Sequence, residues 1–281
     1  MAPIWFSSCN GVVLKRAFGG GKMDLLIHGD SLNLLKCIKA DIIITDPPYG
    51  ISRNRWDSEP IDFLHLAQVA QVVTTADIKY ASFLINRYPK QFAHDLIWAK
   101  TVGSGQLNIN NQPLRVHELV LVFKLLSNTV YNRIKTKGQP YEISRKIKNT
   151  QGYNQQRDVE ITNLGERDMK SVLSVPNRRY KNGHPTQKPV QLFQTLADMY
   201  SNPGQTIIDP FAGSGTILDV KDRHVIAIEK DKEYYELARD SRTDSIVKKE
   251  HLHGTKFEYL MGLLSNHEYT VFSSKSQTVI Q

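Results

Sequence analysis

The sequence has little of several things that would place it in a special class. It has two cysteines, Cys9 and Cys37, at no framework or metal-ligand spacing. A disulfide-stapled scaffold and a zinc finger are therefore excluded, and inert thiols in a reducing compartment are expected. No apolar run approaches the ~18 residues of a membrane-spanning helix, so no membrane association is expected. The first residues lack an apolar core followed by a small-residue cleavage site, so secretion is not expected. The stretch Gly19–Lys22 reads GGGK, but Met23 follows where a P-loop needs Ser or Thr. His251, His253 and His267 do not amount to a ligand set, and no metal is expected.

What remains is the composition of a soluble globular chain: 281 residues, 40% hydrophobic and 23% charged. That length suits one sizeable domain with an insert, or two small domains. The net charge is +8, and it is unevenly spread. Residues 101–190 hold 15 Lys and Arg against 6 Asp and Glu, a surplus larger than that of the whole chain. Basic charge gathered in one third of a sequence is the footprint expected for a polyanion partner.

Strand-like and helix-like runs alternate. Asp24–His28, Asp41–Thr45, Tyr80–Ile85, His94–Lys100 and His117–Lys124 read as strands, and Ser31–Ile38 and Ile61–Asp77 as helices. Alternation of this kind predicts a parallel sheet covered on both faces, which suits the β-branched run Ile42–Ile44. From Ser127 to about Lys181 both periodicities fade into polar, basic, tyrosine-containing text. A long insert is expected there, and such inserts are often functional. Order returns with a helix over Lys188–Ser201, a strand over Thr206–Asp209, a short helix, a strand over His224–Glu229 and a helix over Asp231–Asp240 capped by Asp231. Lys256–Leu264 is compatible with a further helix.

Two strand ends carry chemistry. In TIIDPFAGSGTILD, a buried strand ends at Asp209 and a loop with Gly213 and Gly215 follows. Glycines there permit close approach of backbone to ligand. The next strand ends at Glu229, 14 residues after Gly215. A carboxylate in that place accepts hydrogen bonds from ribose hydroxyls. The spacing is shorter than the ~20 residues of a dinucleotide fingerprint, and the full glycine pattern is absent. A nucleoside-type cofactor with little phosphate is the better match. In DIIITDPPYG, Pro47 and Pro48 fix a stiff open loop after the strand. Asp46 adds a carboxylate and Tyr49 a flat ring, a combination suited to an amino group on an aromatic ring.

Taken together these segments resemble the S-adenosylmethionine-dependent DNA methyltransferases that modify exocyclic amines. Asp46–Tyr49 matches their Asp-Pro-Pro-Tyr signature at every position, and Asp209–Thr216 is similar to their cofactor loop. His184–Leu192, His28–Leu32, Leu96–Lys100 and Arg115–Phe123 are similar to further family segments, so the likeness spans roughly residues 23–124 and 180–243. Catalytic motif first, basic insert next and cofactor loop last is the order of the β group. Release-factor glutamine methyltransferases carry a related tetrapeptide after the cofactor loop and begin it with Asn, which argues against them.

The resemblance implies an α/β fold with a doubly wound, mostly parallel sheet, Rossmann-like, and a basic target-recognition insert. It divides the chain into a flexible leader (1–22), a catalytic half (23–124), the insert (125–179), a cofactor half (180–243) and a C-terminal extension (244–281). Met23 is a candidate natural start. The resemblance implies S-adenosylmethionine as cofactor and double-stranded DNA as substrate. Asp46 and the Pro47 carbonyl, in the loop stiffened by Pro48, would accept from the target amine, and Tyr49 would stack on a flipped base. Asp30 would meet the cofactor's adenine, Glu229 the ribose, Thr186 and Lys188 the methionine carboxylate. Asp209, Phe211, Ala212, Gly213, Ser214 and Gly215 would wrap the rest. Phosphate contacts would come from Arg133, Lys135, Lys137, Arg145, Lys146 and Lys148, interleaved with Tyr131, Tyr141 and Tyr153. Adenine N6 is the expected target, because cytosine-N4 enzymes more often have Ser at the position of Asp46. An inactive nucleic-acid-binding protein of this fold and an RNA substrate are the alternatives. A cytoplasmic location in a bacterial, archaeal or phage-infected cell is expected, with a homodimer or a cognate restriction nuclease as partners that the sequence neither shows nor excludes.

Overall fold

The computed structural model describes residues 22–51, 57, 59–145, 159–177, 187–242 and 267–273. In chain order the elements are β1 (Met23–His28), α1 (Ser31–Leu34), β2 (Ile42–Thr45), β3 (Gln71–Ala76), α2 (Ile78–Arg87), β4 (Phe92–Ser104) and β5 (Arg115–Lys124). There follow β6 (Lys135–Lys137), β7 (Tyr141–Arg145), β8 (Val159–Asn163), β9 (Glu166–Asp168), β10 (Val172–Ser174), α3 (Val190–Tyr200), β11 (Thr206–Asp209), β12 (His224–Glu229), α4 (Lys232–Asp240) and β13 (Glu268–Ser273). Among the described residues no helix is long and apolar enough to cross a membrane.

Among the described residues nine strands form one sheet in the order β10-β4-β5-β3-β2-β11-β12-β1-β13. Its centre, β3-β2-β11-β12-β1, is parallel. β5 is antiparallel to both β3 and β4, and β13 to β1. Every residue of β2, β3 and β11 is buried, as befits strands covered on both faces. From β2 the chain moves outward to β3, whereas from β11 it moves the other way to β12. The order therefore reverses between β2 and β11, and in such sheets ligands bind at the carboxyl ends of the strands where that happens.

The expected helix over Ile61–Asp77 is not formed. Only Leu64–Leu66 make a 3-10 turn, and Gln71–Ala76 form a central strand. The apolar residues recur at helical spacing, but Val72, Val73, Thr74 and Thr75 are consecutive β-branched residues, which fit a pleated strand better. Correspondingly, Tyr80–Ile85 is helical rather than extended. Asp77 caps α2 by accepting from the Tyr80 N–H at 2.8 Å, and the helix buries Tyr80, Ala81 and Leu84 along one face.

Two compact units emerge: Met1–Asn132 with Ser171–Gln281, and Arg133–Lys170. The second is shorter than the expected insert of 125–179. Its flanks belong to the first unit: β10 pairs with β4, and the Asn132 side chain donates to the carbonyls of Asp198 and Ser201 at 2.9 and 2.7 Å. Leu173 and Val175 are buried core residues in a stretch whose overall polarity conceals them. The described residues of the second unit form two antiparallel pairs, β6 with β9 and β7 with β8.

The central strands are also joined by side chains. The Thr45 hydroxyl donates to Asp209 Oδ1 at 2.6 Å within the core. Burial pushes the Asp209 carboxyl up to about 7, against the hydrogen bonds from Thr45 and the Phe211 N–H. Two measurements follow. Asp77→Ala should lower the unfolding free energy by about 1 kcal/mol in urea titrations, and Asp77→Asn by less. Asp209 binds its proton more tightly in the folded chain than in the unfolded one, where its ordinary value is 3.8. Its contribution to stability is thus complete below pH 3.8 and lost as pH rises to about 7. Asp209→Asn keeps the acceptor for Thr45 and removes the titration. Without cofactor, the parent should lose stability relative to this variant by on the order of 3–4 kcal/mol between pH 4 and 8.

Candidate active site

Asp46 leaves the end of β2 at the strand reversal, with Pro47 buried behind it. Its Oδ1 accepts from the Tyr49 hydroxyl at 2.7 Å and from the Thr75 hydroxyl, which the end of β3 supplies. Its Oδ2 accepts from Lys188 Nζ at 2.6 Å. Lys188 was expected at the cofactor's carboxylate. Its ammonium donates to Asp46 and lies 3.2 Å from Glu118 Oε2, within ion-pair distance. Lys100 Nζ holds the other oxygen of Glu118 at 2.9 Å. The result is a row of alternating charges, Lys100, Glu118, Lys188 and Asp46, drawn from β4, β5, the residue before Pro189 and the exit of β2.

Burial works against both inner members, yet the partners prevail. For Lys188, Asp46 and Glu118 outweigh burial and hold the ammonium above its ordinary range. For Glu118, Lys188 and Lys100 outweigh it and hold the carboxyl low. Lys188 Nζ also lies 5.8 Å from the Tyr49 ring centre and 5.9 Å from that of Trp98. Tyr49 stacks on Tyr80 at 5.4 Å, and Tyr80 is anchored through its hydroxyl to the Ile61 carbonyl at 2.6 Å. Burial, with Asp46 nearby, raises the Tyr49 hydroxyl well above its usual range, so it acts as a donor.

Across the reversal, Asp209 Oδ1 accepts from the Phe211 N–H at 3.1 Å, and Phe211 meets Phe63 edge-on at 5.4 Å. Glu229 fixes the glycine loop: Oε2 accepts from the Gly213 N–H and Oε1 from the Asp231 N–H, both at 2.7 Å. Burial raises its carboxyl. The two glycines do different things. A side chain at Gly213, whose φ is 53°, would meet nothing within 4 Å, so this residue faces open space. One at Gly215 would come within 2.9 Å of Ala238 on α4, so that glycine permits close packing. The carbonyls of Ser214 and Gly215 accept from Arg242 at 3.4 and 2.8 Å. Asp30 caps α1 through the Leu32 N–H at 3.0 Å and pairs with Lys230 at 2.9 Å. These contacts outweigh partial burial and keep its carboxyl low.

The structure thus brings Asp46, Pro47, Tyr49 and Lys188 together, and sets Asp209, Phe211, Gly213 and Glu229 beside them at the same sheet edge. Thr186, Lys146, Lys148, Tyr153, His251 and His253 lie outside the described residues. In the second unit, Arg133 makes a double hydrogen bond to Asp168, both at 2.6 Å, and Lys135 lies 3.5 Å from the same carboxylate. Lys137 is exposed on β6. Thr75, Tyr80, Lys100 and Glu118 were missed as site residues. The available signal was a charged residue at the edge of an apolar run, Glu118 before LVLVF and Lys100 after LIWA.

Comparison with known proteins agrees with this geometry. Residues 40–240 match the N6/N4 methyltransferase family model, described as DNA methylase. The chain is 28% identical over 252 residues to the DNA adenine methyltransferase YhdJ of Escherichia coli K12, covering 78% of this chain and 82% of that one. It is 27% identical over 248 residues to the type II methyltransferase M.HpaI of Haemophilus parainfluenzae, covering 78% and 74%. The solved PvuII DNA methyltransferase, cytosine-N4-specific, superposes with a TM-score of 0.57 at 15% identity, covering 89% of this chain and 97% of that one. With the family model spanning well over half of the chain, and an acid–Pro–Pro–Tyr loop facing a glycine loop across the strand reversal, the protein belongs to the N6/N4 family of S-adenosylmethionine-dependent DNA amino-methyltransferases.

Proposed function

We propose that the chain methylates the N6 amine of adenine in DNA, on a base turned out of the helix. The observation that carries this reading is the Asp46 carboxylate, held by a hydrogen bond from Lys188 at the strand reversal. An ionised carboxylate offers roughly four lone-pair positions. Tyr49, Thr75 and Lys188 occupy three, two on Oδ1 and one on Oδ2. The position left on Oδ2 is where the target N–H is received, with the Pro47 carbonyl taking the other N–H. An adenine amine is a weak nucleophile because its lone pair is delocalised into the ring. Two fixed acceptors draw the nitrogen toward tetrahedral geometry and stabilise the positive charge that develops on it. Tyr49 supplies a ring for the flipped base, worth about 1–3 kcal/mol against the cost of unstacking.

S-adenosylmethionine supplies an electrophilic methyl group on a sulfonium. The chemistry of the surrounding groups fits it: a glycine facing open space and acids that accept from hydroxyls and amines. Glu229 would hold the ribose hydroxyls, Asp30 the adenine end, and Asp209, Phe211 and the Ala212–Gly215 backbone the remainder. Lys188 has a further part in this reading, that of orienting the Asp46 carboxylate.

Adenine is preferred because Asp stands first in the tetrapeptide, and because YhdJ, at 28% identity, is named an adenine methyltransferase. Labelled S-adenosylmethionine, incubated with unmodified DNA that is then digested to nucleosides, should place label in N6-methyldeoxyadenosine. Label confined to N4-methyldeoxycytidine would overturn the choice of base, and none in any DNA would favour an inactive binding protein. Asp46→Ala should lower kcat by about 10²–10³-fold and leave cofactor affinity unchanged. Tyr49→Phe keeps the ring and loses one bond to Asp46, so its kcat should fall less.

A further inference from the structure

The arm between β4 and β5 has a surface that solubility does not explain. We propose that its tip is a second DNA-contacting element, in which Leu107 enters the duplex beside the flipped base and neighbouring amides read base edges. The inference rests on the DNA amino-methyltransferase reading above.

Strand register fixes where the arm stands. Ala76, the last residue of β3, lies opposite Leu119. Residues of β5 before Leu119 therefore run past the carboxyl edge of the parallel strands, the edge from which Asp46 emerges. β4 accompanies them, with Trp98 opposite Glu118 and Ser104 opposite Arg115. The foot of the arm is Glu118, already within the charge row of the site. At ~3.3 Å per residue, Arg115 lies about 10 Å farther out, and the tip lies beyond it.

The tip is chemically unusual. Every residue of 104–113 is exposed. Val102, Leu107, Ile109 and Val116 are exposed large apolar residues on this one arm, and Leu107 is fully so. Single exposed apolar residues are ordinary, whereas a cluster marks an interaction site. Between them stand five amides, Gln106, Asn108, Asn110, Asn111 and Gln112. No carboxylate occurs from 96 to 117, a stretch that contains the exposed Arg115. Each feature fits duplex DNA. A polyanion disfavours acids on the facing surface. Asn and Gln pair with the edge of adenine, and an apolar side chain inserted between base steps occupies unstacked space.

The arm is also held in shape. Asn177 Oδ1 accepts from the Val102 N–H at 2.9 Å while its Nδ2 donates to the Val102 carbonyl at 2.9 Å. The tip winds through Asn108 N–H to Gly105 O at 2.9 Å and Gln112 N–H to Asn108 O at 3.0 Å. Gly105, with φ 89°, makes the turn that starts it. An arm ordered beforehand loses little freedom on binding.

The test compares the full chain with a Leu107→Ser, Ile109→Ser variant and an Asn108→Ala, Asn110→Ala, Asn111→Ala variant. All substituted side chains are exposed, so folding should be kept, and thermal unfolding checks it. Steady-state methyl transfer to unmodified genomic DNA gives the KM for DNA. Modified-base sequencing of DNA from expressing cells gives the recognition sequence. Both variants should raise the KM for DNA about tenfold or more, with cofactor affinity unchanged. The amide variant should also methylate a broader set of sequences. Variants with the parent's KM and recognition sequence would overturn the proposal. So would a changed oligomeric state with unaltered KM, which would make the tip a contact between copies of this chain. A parent that transfers no methyl group to any DNA would overturn the catalytic reading and this inference together, a result distinct from an active parent with indifferent variants.

Discussion

The Lys188 ammonium, buried between the carboxylates of Asp46 and Glu118, is the contact on which the site depends. Neither the cation nor its two anions would tolerate that burial alone, because an ion taken from water loses several kcal/mol unless a partner replaces the solvent. The row Lys100–Glu118–Lys188–Asp46 alternates in sign and sums to zero. Removing one member leaves an uncompensated charge, which in buried pairs typically costs about 3–5 kcal/mol. The row therefore fixes more than a single side chain. It ties the exit of β2 to the start of α3, 142 positions away in sequence, through β4 and β5. It also orients Asp46: a carboxylate touching a cation and two hydroxyl donors is an acceptor fixed in place before any substrate arrives.

Much of this was legible in the sequence. The β-branched run Ile42–Ile44 ending in Asp46, and TIID ending in Asp209, declared two buried strands with acids at their mouths. Asp231 declared a helix start, and its side chain does accept from the Glu233 N–H at 2.9 Å. The failures have physical causes. Residues 61–77 satisfy a helical spacing, but spacing alone ignores that four β-branched residues in a row prefer a pleated strand. The error then passed to the next segment, since a strand placed too late takes the residues that Asp77 had capped as a helix. Glu118 and Lys100 escaped notice because they are single charges at the edges of apolar runs, and sequence does not show that the two edges meet. Lys188 was recognised as a site residue, but its ion pair with Asp46 went unforeseen for the same reason.

The glycine loop shows how one motif divides its work. Gly213 and Gly215 look equivalent in a Gly-Ser-Gly text. In three dimensions Gly215 lets α4 approach, since a side chain would strike Ala238, while Gly213 faces open space and has its N–H bound to Glu229. Substituting Gly215 therefore disturbs packing, whereas substituting Gly213 disturbs a surface available to a ligand. The Glu229 carboxylate is already bound to two backbone N–H groups before any hydroxyl reaches it. It is thus a rigid acceptor, in the same sense as Asp46.

Both halves of the site are incomplete by themselves. Thr45 has its acceptor on Asp209, and Asp46 has its cation on Lys188, so the segment before the insert and the segment after it finish each other. Adjacency of β2 and β11 achieves this, and chain order does not enter. Any connectivity that leaves these two strands side by side, with reversal between them, yields the same pair of acids facing one crevice. That is why a segment such as 133–170 can be carried between them. Both of its attachment points are fixed to the first unit, Asn132 through the Asp198 and Ser201 carbonyls and Ser171 through the Ile97 N–H at 2.8 Å. The inserted text is released from the demands of the sheet, and its sequence is free to follow those of its own contacts.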